Sequence, residues 1–391
     1  MNPALIHLAH ILRATVGSPR TPLTICIVAF VAASASLVAF AAGPIAPVAS
    51  AEILDPAPEP STLPAYSPRG RPTSYTSLGD SFTAGSGIAP QATAGRATVG
   101  CKQSTKNYPR LIVDDFNVPI PSLGRPRYPG PPISRYLDAS CSGALTSHLR
   151  QPQAASATVN ESTTNRPQLD AVSFDWILGQ PLVSPAELVT ISLGVNDVNL
   201  IGRIANCAKL KDDRRALDGT NYPCRNLHLT DLTDGGVGDT VELTQQVAVI
   251  ANRVATNIAD IRSASPSARV LVVGYLPVLP PTTFDQADQS PDDTFSCGTA
   301  IKMEIGDVAY FSDLESRVNE VLRTQAARYG VGFIDVRAVS AGHDACTPVG
   351  VRWVEPYVGF IGTSSIALHP NAAGHEQVRR FVQRQIPKTV W

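Results

Sequence analysis

The sequence has no excess of positive charge, and this absence narrows the range of functions that the protein can have. Residues 1–51 contain Arg13 and Arg20 as their only charged residues. The remaining chain carries 30 basic against 33 acidic residues, a net charge of about −3. Proteins that bind nucleic acid need a basic stripe or patch facing the phosphates. We therefore expect no nucleic-acid partner.

The usual signals of a metal centre and of a repeat protein are also missing. The chain contains no Cys-x-x-Cys pair and no histidine-rich cluster, so we expect neither a metal nor another cofactor. No internal repeat at a solenoid or propeller period is present. These absences favour a globular domain whose chemistry comes from its own side chains.

The N-terminal residues 1–51 have the pattern of a secretion signal. Arg13 and Arg20 precede an apolar run over Leu23–Ala42, and the small residues at 49–51 provide a cleavage site after Ala51. The competing interpretation is an uncleaved anchor, because about 20 apolar residues can span a bilayer. Either way we expect an extracytoplasmic protein, secreted or associated with the cell envelope or membrane through this segment.

The segment 52–72 is rich in proline, and the residues after it are long enough for one large domain. Six prolines favour an extended, semi-rigid backbone that cannot form a core of its own; they are residues 56, 58, 60, 64, 68 and 72. We predict a linker over 52–72 and a single domain over 73–391. We expect a monomer.

Cysteine usage agrees with export. Cys26 lies in the apolar leader, and six cysteines remain after it: Cys101, Cys141, Cys207, Cys224, Cys297 and Cys346. An even number of cysteines in an oxidising compartment predicts three disulfides, although six cysteines allow about 15 pairings.

Short apolar and β-branched segments alternate with helical patterns, which predicts an α/β fold with a five-stranded parallel sheet covered on both faces. The predicted strands are Thr73–Leu78, Arg135–Ala139, Glu187–Leu193, Arg269–Gly274 and Val331–Val336. The predicted helices with apolar residues at helical spacing are Asp239–Ser263, Met303–Tyr329 and Asn371–Gln385.

Three short motifs supply the parts of a serine hydrolase. Gly-Asp-Ser ends at Ser81 just beyond the first strand, Gly-Val-Asn-Asp places Asn196 beyond the third, and His-Pro-Asn begins at His369 before the last helix. A serine needs a base to remove its proton, and the resulting oxyanion needs fixed donors. Each motif by itself is also compatible with a turn or a helix cap.

Together these motifs resemble the SGNH, or GDSL-type, esterases and lipases, over about residues 73–385. The resemblance implies a three-layer α/β/α fold with a flavodoxin-like sheet. It assigns Ser81 as nucleophile, His369 as base, and Ser81, Gly143 and Asn196 as oxyanion donors. Secreted actinobacterial members suggest the sequential disulfides Cys101–Cys141, Cys207–Cys224 and Cys297–Cys346.

The sequence departs from the family pattern at one position. Most members have an aspartate three residues before the histidine, where this chain has Ile366. The hypothesis is a dyad in which the backbone carbonyl of Ile366 orients the imidazole, as in some secreted relatives. The fallback is a distant carboxylate: Asp335, Asp344 or Glu355.

The expected function is hydrolysis of carboxylic esters through an acyl-enzyme. The substrates favoured by family frequency are acyl glycerides, phospholipids or small acyl esters. Two alternatives stay open, namely an esterase acting on carbohydrate or cell-wall acyl groups, and a catalytically silent cell-surface binding protein with the same fold.

Overall fold

The computed structural model describes the greater part of the chain after the leader. The described residues are 56–65, 70–92, 100–117, 119–120, 125–126, 131–154, 164–175, 179–209, 224, 243–283, 294–296, 301–357 and 366–387. The predicted leader 1–51 lies outside them. Among the described helices, none is sufficiently long and apolar to span a membrane.

Five parallel strands form the central sheet. They are β1 (Ser74–Gly79), β2 (Arg135–Asp138), β3 (Leu188–Ser192), β4 (Arg269–Val273) and β5 (Gly332–Ile334). All four pairings are parallel, and the spatial order is β2-β1-β3-β4-β5. This order is the flavodoxin-like one, so the predicted fold class is confirmed.

The central strands are buried on both faces, and their polar side chains are paired inside the sheet. All six residues of β1 and all five of β3 are buried. The Tyr75 hydroxyl bonds the Thr190 hydroxyl at 2.8 Å, and Ser77 Oγ donates to Asp138 Oδ1 at 2.9 Å. Such pairing offsets the desolvation of the polar atoms.

Two pairs of helices cover the sheet. In chain order the helices are α1 (Ser81–Ala84), α2 (Tyr108–Asn117), α3 (Asp170–Ser173), α4 (Leu200–Lys209), α5 (Leu243–Ala264), α6 (Ile305–Arg328) and α7 (Ala372–Arg384). Helix α2 packs on α7, and α5 packs on α6. The three long helices predicted from periodicity are therefore present as α5, α6 and α7.

Two of the expected disulfides lie within the described residues. The structure contains Cys101–Cys141 and Cys207–Cys224. Cys346 is also disulfide-bonded, while its expected partner, Cys297, lies outside the described residues.

Part of the segment predicted to be a linker contacts the domain. The Ala57 N–H donates to Asn252 Oδ1 at 2.9 Å, and the Tyr329 hydroxyl donates to the Pro58 carbonyl at 2.6 Å. Residues 57–58 are thus attached to α5 and to the end of α6.

One buried tyrosine ties together the ends of three neighbouring strands. Tyr275, which follows β4, donates its hydroxyl to Asp80 Oδ2 at 2.7 Å and accepts the Val195 N–H at 3.4 Å. Asp80 follows β1 and Val195 follows β3. Burial raises the pKa of Asp80 to about 7, and the bonds from Tyr275 and Phe82 act in the opposite direction.

We predict that Tyr275→Phe destabilises the fold more at pH 8.5 than at pH 5. Above its pKa of about 7 Asp80 is charged, and losing the hydrogen bond from Tyr275 costs about 1.5–3 kcal/mol of unfolding free energy. Below this pKa Asp80 is neutral, and losing the same bond costs about 1 kcal/mol. The substitution raises the pKa of Asp80 further, so the free energy of unfolding of the variant falls further below that of the wild type as the pH rises through 7. Urea unfolding at both pH values measures the difference.

The matched control is Tyr75→Phe, which also removes a buried hydroxyl but one that bonds Thr190. This substitution should lower the free energy of unfolding by the same amount at pH 5 and at pH 8.5. Equal costs for Tyr275→Phe at pH 5 and pH 8.5 would contradict the role assigned to Asp80.

Candidate active site

Ser81 lies at the carboxyl end of β1, as the first residue of α1. The side chain of Asp80 caps this helix by accepting the Phe82 N–H at 2.9 Å. Gly79 allows the tight approach of strand to helix, because a Cβ there would lie 2.3 Å from Thr83 Oγ1. The turn therefore holds the Ser81 side chain at the rim of the sheet.

The imidazole of His369 meets the hydroxyl of Ser81. His369 Nε2 and Ser81 Oγ are 2.8 Å apart, although 288 positions separate the two residues in the chain. His369 lies in the turn before α7, whose N-terminus is capped by Asn371 Oδ1 accepting the Gly374 N–H at 3.0 Å. This hydrogen bond is the geometry that proton transfer from serine to histidine requires.

The second nitrogen of His369 bonds a backbone carbonyl, but not the expected one. Nδ1 lies 2.7 Å from the carbonyl oxygen of Ala367, so Ile366 as the orienting residue is wrong by one position. The reason is Leu368, whose φ of +60° lies in the left-handed region that residues other than glycine rarely adopt. This tighter turn brings the carbonyl two residues before the histidine against its ring.

The three candidate carboxylates are engaged elsewhere. Asp335 Oδ1 accepts the Ala338 N–H at 3.0 Å, and Asp344 Oδ1 accepts the Cys346 N–H at 2.9 Å. The Glu355 side chain pairs with Arg352, at 2.8 Å between Oε2 and Nη2.

Asp335 also lines a separate cavity of about 350 Å³ between α6 and the loop after β5. The other residues around this cavity include Asn319, Glu320, Arg323 and Phe333, and neither Ser81 nor His369 is among them.

The surroundings of His369 favour its neutral form. Burial lowers the pKa of the imidazole, the hydrogen bond with the Ala367 carbonyl partly offsets this, and the positive charge of Lys102 lowers the pKa further. A neutral imidazole can accept a proton, so the histidine is ready to act as a base at and below neutral pH.

Two of the predicted oxyanion donors are backbone N–H groups. Among the described residues, neither the Ser81 N–H nor the Gly143 N–H has a hydrogen-bond acceptor. Gly143 has a φ of +79°, which glycine adopts without strain. The loop carrying Gly143 follows β2 and is held to the end of β1, because the Cys141 N–H donates to the Gly79 carbonyl at 2.9 Å.

Asn196 follows β3 and is oriented by this same loop. Its Nδ2 donates to the Ala144 carbonyl at 3.0 Å. An amide nitrogen carries two N–H groups, so one remains for a ligand. Asp197 braces the segment by accepting from the Thr146 hydroxyl at 2.5 Å and from Arg253 Nη1 at 3.3 Å.

Residues that sequence reasoning missed also contribute to the site. The Phe82 ring packs against the His369 ring at a centroid distance of 5.2 Å and against the Tyr275 ring at 5.3 Å. Nothing in the sequence marks Tyr275 or Lys102, whereas Phe82 directly follows the nucleophile and could have been noted for its position.

One cluster of metal-ligand residue types occurs among the described residues, away from these motifs. It consists of Cys207, Cys224 and Asp307. The two cysteines form a disulfide, so their sulfurs are not thiolate ligands, and this chemistry does not fit a metal.

Comparisons with known proteins show which family the chain belongs to. The model of the GDSL-like lipase/acylhydrolase family matches residues 77–377. Lipase 2 of Streptomyces coelicolor is 28% identical over 308 residues, which cover 78% of this chain and 82% of the relative. An esterase of Streptomyces scabiei is 23% identical and covers 76% of this chain and 81% of its own length.

Among solved structures, the chain is similar to phospholipase A1 from Streptomyces albidoflavus NA297. It has 21% sequence identity and a TM-score of 0.48, and it covers 79% of this chain and 95% of its own.

The family match extends over more than half of the chain and includes all three motifs. The chain therefore belongs to the GDSL-like lipase/acylhydrolase family and is a carboxylic ester hydrolase.

Proposed function

We propose that this enzyme is a serine esterase with a Ser81–His369 dyad, in which the Ala367 carbonyl replaces the usual aspartate. The observation that carries the proposal is the 2.8 Å contact between Ser81 Oγ and His369 Nε2. An acceptor at Nδ1 fixes the imidazole tautomer and stabilises its charged form. The Ala367 carbonyl, at 2.7 Å, meets this need.

The first stage forms an acyl-enzyme. Ser81 Oγ attacks the ester carbonyl carbon while His369 Nε2 takes the hydroxyl proton. The N–H groups of Ser81 and Gly143 and the free N–H of Asn196 donate to the oxyanion. The tetrahedral intermediate then collapses, and His369 returns the proton to the leaving alcohol.

The second stage releases the acid. His369 removes a proton from a water molecule, which attacks the acyl carbon, and the same donors hold the second oxyanion. Collapse breaks the bond to Ser81 Oγ, and His369 gives the proton back to the serine. Neither stage of the reaction needs a cofactor, because His369 or the leaving group holds each proton that is transferred.

For the substrate, we propose acyl glycerides, phospholipids or small acyl esters. The support is the naming of the relatives, of which one is called a lipase and another an esterase. We also propose that the enzyme acts outside the cytoplasm. The leader pattern and the disulfides Cys101–Cys141 and Cys207–Cys224 support this location.

The direct test combines an ester panel with a serine-directed probe. Wild-type enzyme should hydrolyse nitrophenyl esters of short and medium acyl chains and be labelled by a fluorophosphonate. Ser81→Ala should lose the label and at least about 10³-fold in kcat. The control is Ser86→Ala, whose buried hydroxyl has no partner among the described residues and which should keep both properties.

Activity confined to acetylated glycans would overturn the proposed substrate class. Labelling that persists in Ser81→Ala would overturn the proposed nucleophile.

We predict that Asn196→Ala lowers kcat by about 10²–10³-fold, the usual effect of removing one oxyanion donor. The control is Asn257→Ala, because Asn257 Nδ2 also donates to a nearby backbone carbonyl, that of Thr146, at 3.0 Å. Asn257→Ala should cost stability but leave kcat within about threefold. Similar losses of kcat in the two variants would show that Asn196 acts only through the fold.

A further prediction concerns the carboxylates. Asp335→Asn, Asp344→Asn and Glu355→Gln, made one at a time, should each leave kcat within about threefold, because a carbonyl orients the imidazole. The acid limb of kcat/KM should have an apparent pKa below 6.5, in line with the lowered pKa of His369. A loss of about 10³-fold at one carboxylate would identify a triad instead.

A further inference from the structure

The segment that carries Lys102 is fixed beside the oxyanion loop. Cys101 is disulfide-bonded to Cys141, and its carbonyl accepts the Ser142 N–H at 3.1 Å. Residue 142 directly precedes Gly143. Lys102 is therefore the next residue along from a covalent link to the loop that supplies an oxyanion donor.

The residues after Lys102 bind the other elements of the site. Gln103 Nε2 donates to the carbonyls of Asp138 and Ser140, at 2.9 and 2.7 Å, and the Ser104 N–H donates to the Ala84 carbonyl of α1 at 2.7 Å. Held on both sides, Lys102 takes a left-handed φ of +54° and is exposed. A lysine rarely adopts this conformation, so the bonds of the neighbouring residues must hold its backbone in place.

The charge of Lys102 is not neutralised within the described part of the protein, where no carboxylate forms an ion pair with it. Of the two acidic residues at the adjacent strand ends, Asp80 is buried and Asp138 is half-buried, and both accept hydrogen bonds from other residues. Asp80 accepts from Tyr275 and Phe82, and Asp138 accepts from Ser77, Ser140 and Asn107.

Lys102 is also the charged group that acts on the catalytic imidazole. Its positive charge lowers the pKa of His369, which agrees with the placement of its backbone beside the oxyanion loop. His375, the other titratable group coupled to His369, is neutral because burial lowers its pKa to about 3. Arg352 and Glu355, next to the histidine turn, neutralise each other.

We propose that Lys102 is a specificity residue that binds an anionic group, a phosphate or a carboxylate, on the ester substrate. This inference rests on the proposed ester hydrolysis at Ser81. An anion held there would neutralise a cation that has no ion-pair partner among the described residues, while a neutral ester would leave this cation solvated. The gain is the modest one of a partly exposed ion pair, about three- to tenfold in kcat/KM.

The test measures selectivity as a ratio of kcat/KM values for matched anionic and neutral esters. One pair is para-nitrophenyl hydrogen glutarate and para-nitrophenyl valerate, with the anion on the acyl side. The other is octanoylglycerol phosphate and octanoylglycerol, with a phosphate on the alcohol side. We expect Lys102→Gln to lower the ratio about three- to tenfold in at least one pair, and Lys102→Arg to retain it.

Two further readouts separate recognition from a structural effect. The wild-type ratio should fall in about 1 M salt, where the Debye length is about 3 Å. The apparent pKa of the acid limb on valerate should rise in Lys102→Gln, because a cation that opposes protonation of His369 is gone. The control is Lys106→Gln, an exposed lysine four residues later, which should change neither the ratio nor the pKa.

The outcomes distinguish this inference from the proposed function. A fall in only one pair supports the inference and identifies the acyl or the alcohol side as the position of the anion. Unchanged ratios in both pairs, with valerate still hydrolysed, overturn the role of Lys102 alone. Failure of the wild-type enzyme to hydrolyse any of the four esters overturns the proposed function and this inference with it.

Discussion

The structure depends on one buried bond, from the Tyr275 hydroxyl to the Asp80 carboxyl group, at 2.7 Å. In a flavodoxin-like sheet the strand order reverses between β1 and β3, and ligands bind at the carboxyl ends there. Tyr275 joins this pair of strand ends to the end of β4, while Asp80 also caps the helix that begins with Ser81. Ser81 is thus placed by the same contacts that close the core beneath it.

The histidine is positioned by strain and packing rather than by a carboxylate. A left-handed Leu368 folds the His369 ring onto the Ala367 carbonyl, and Phe82 packs against the ring. A carbonyl carries only a partial charge, so it supports the imidazolium less than an aspartate does. The proposed dyad relies more heavily on fixed geometry, which the cap of α7 and the ends of the strands provide.

Two electrostatic influences on His369 act in the same direction, and the hydrogen bond with the Ala367 carbonyl partly offsets them. Burial and the cation of Lys102 both disfavour a protonated His369, which keeps the base free in mildly acidic surroundings. Lys102 also places a positive charge next to the loop that carries Gly143, although the chain as a whole is close to neutral. The net charge of the chain therefore does not describe the electric field that a small substrate meets near Ser81.

The fold was predictable from the sequence, because burial of strands and helices leaves a local periodicity. Ser81, Asn196 and His369 were found as candidates because each lies in a short motif next to a strand or helix end. The acceptor at Nδ1 was misplaced by one residue, since nothing local reveals that Leu368 takes a positive φ. Tyr275 and Lys102 carry no motif, and only the tertiary structure brings them to the site. Their positions follow from strand order and from the Cys101–Cys141 link, which are long-range contacts that no local pattern encodes.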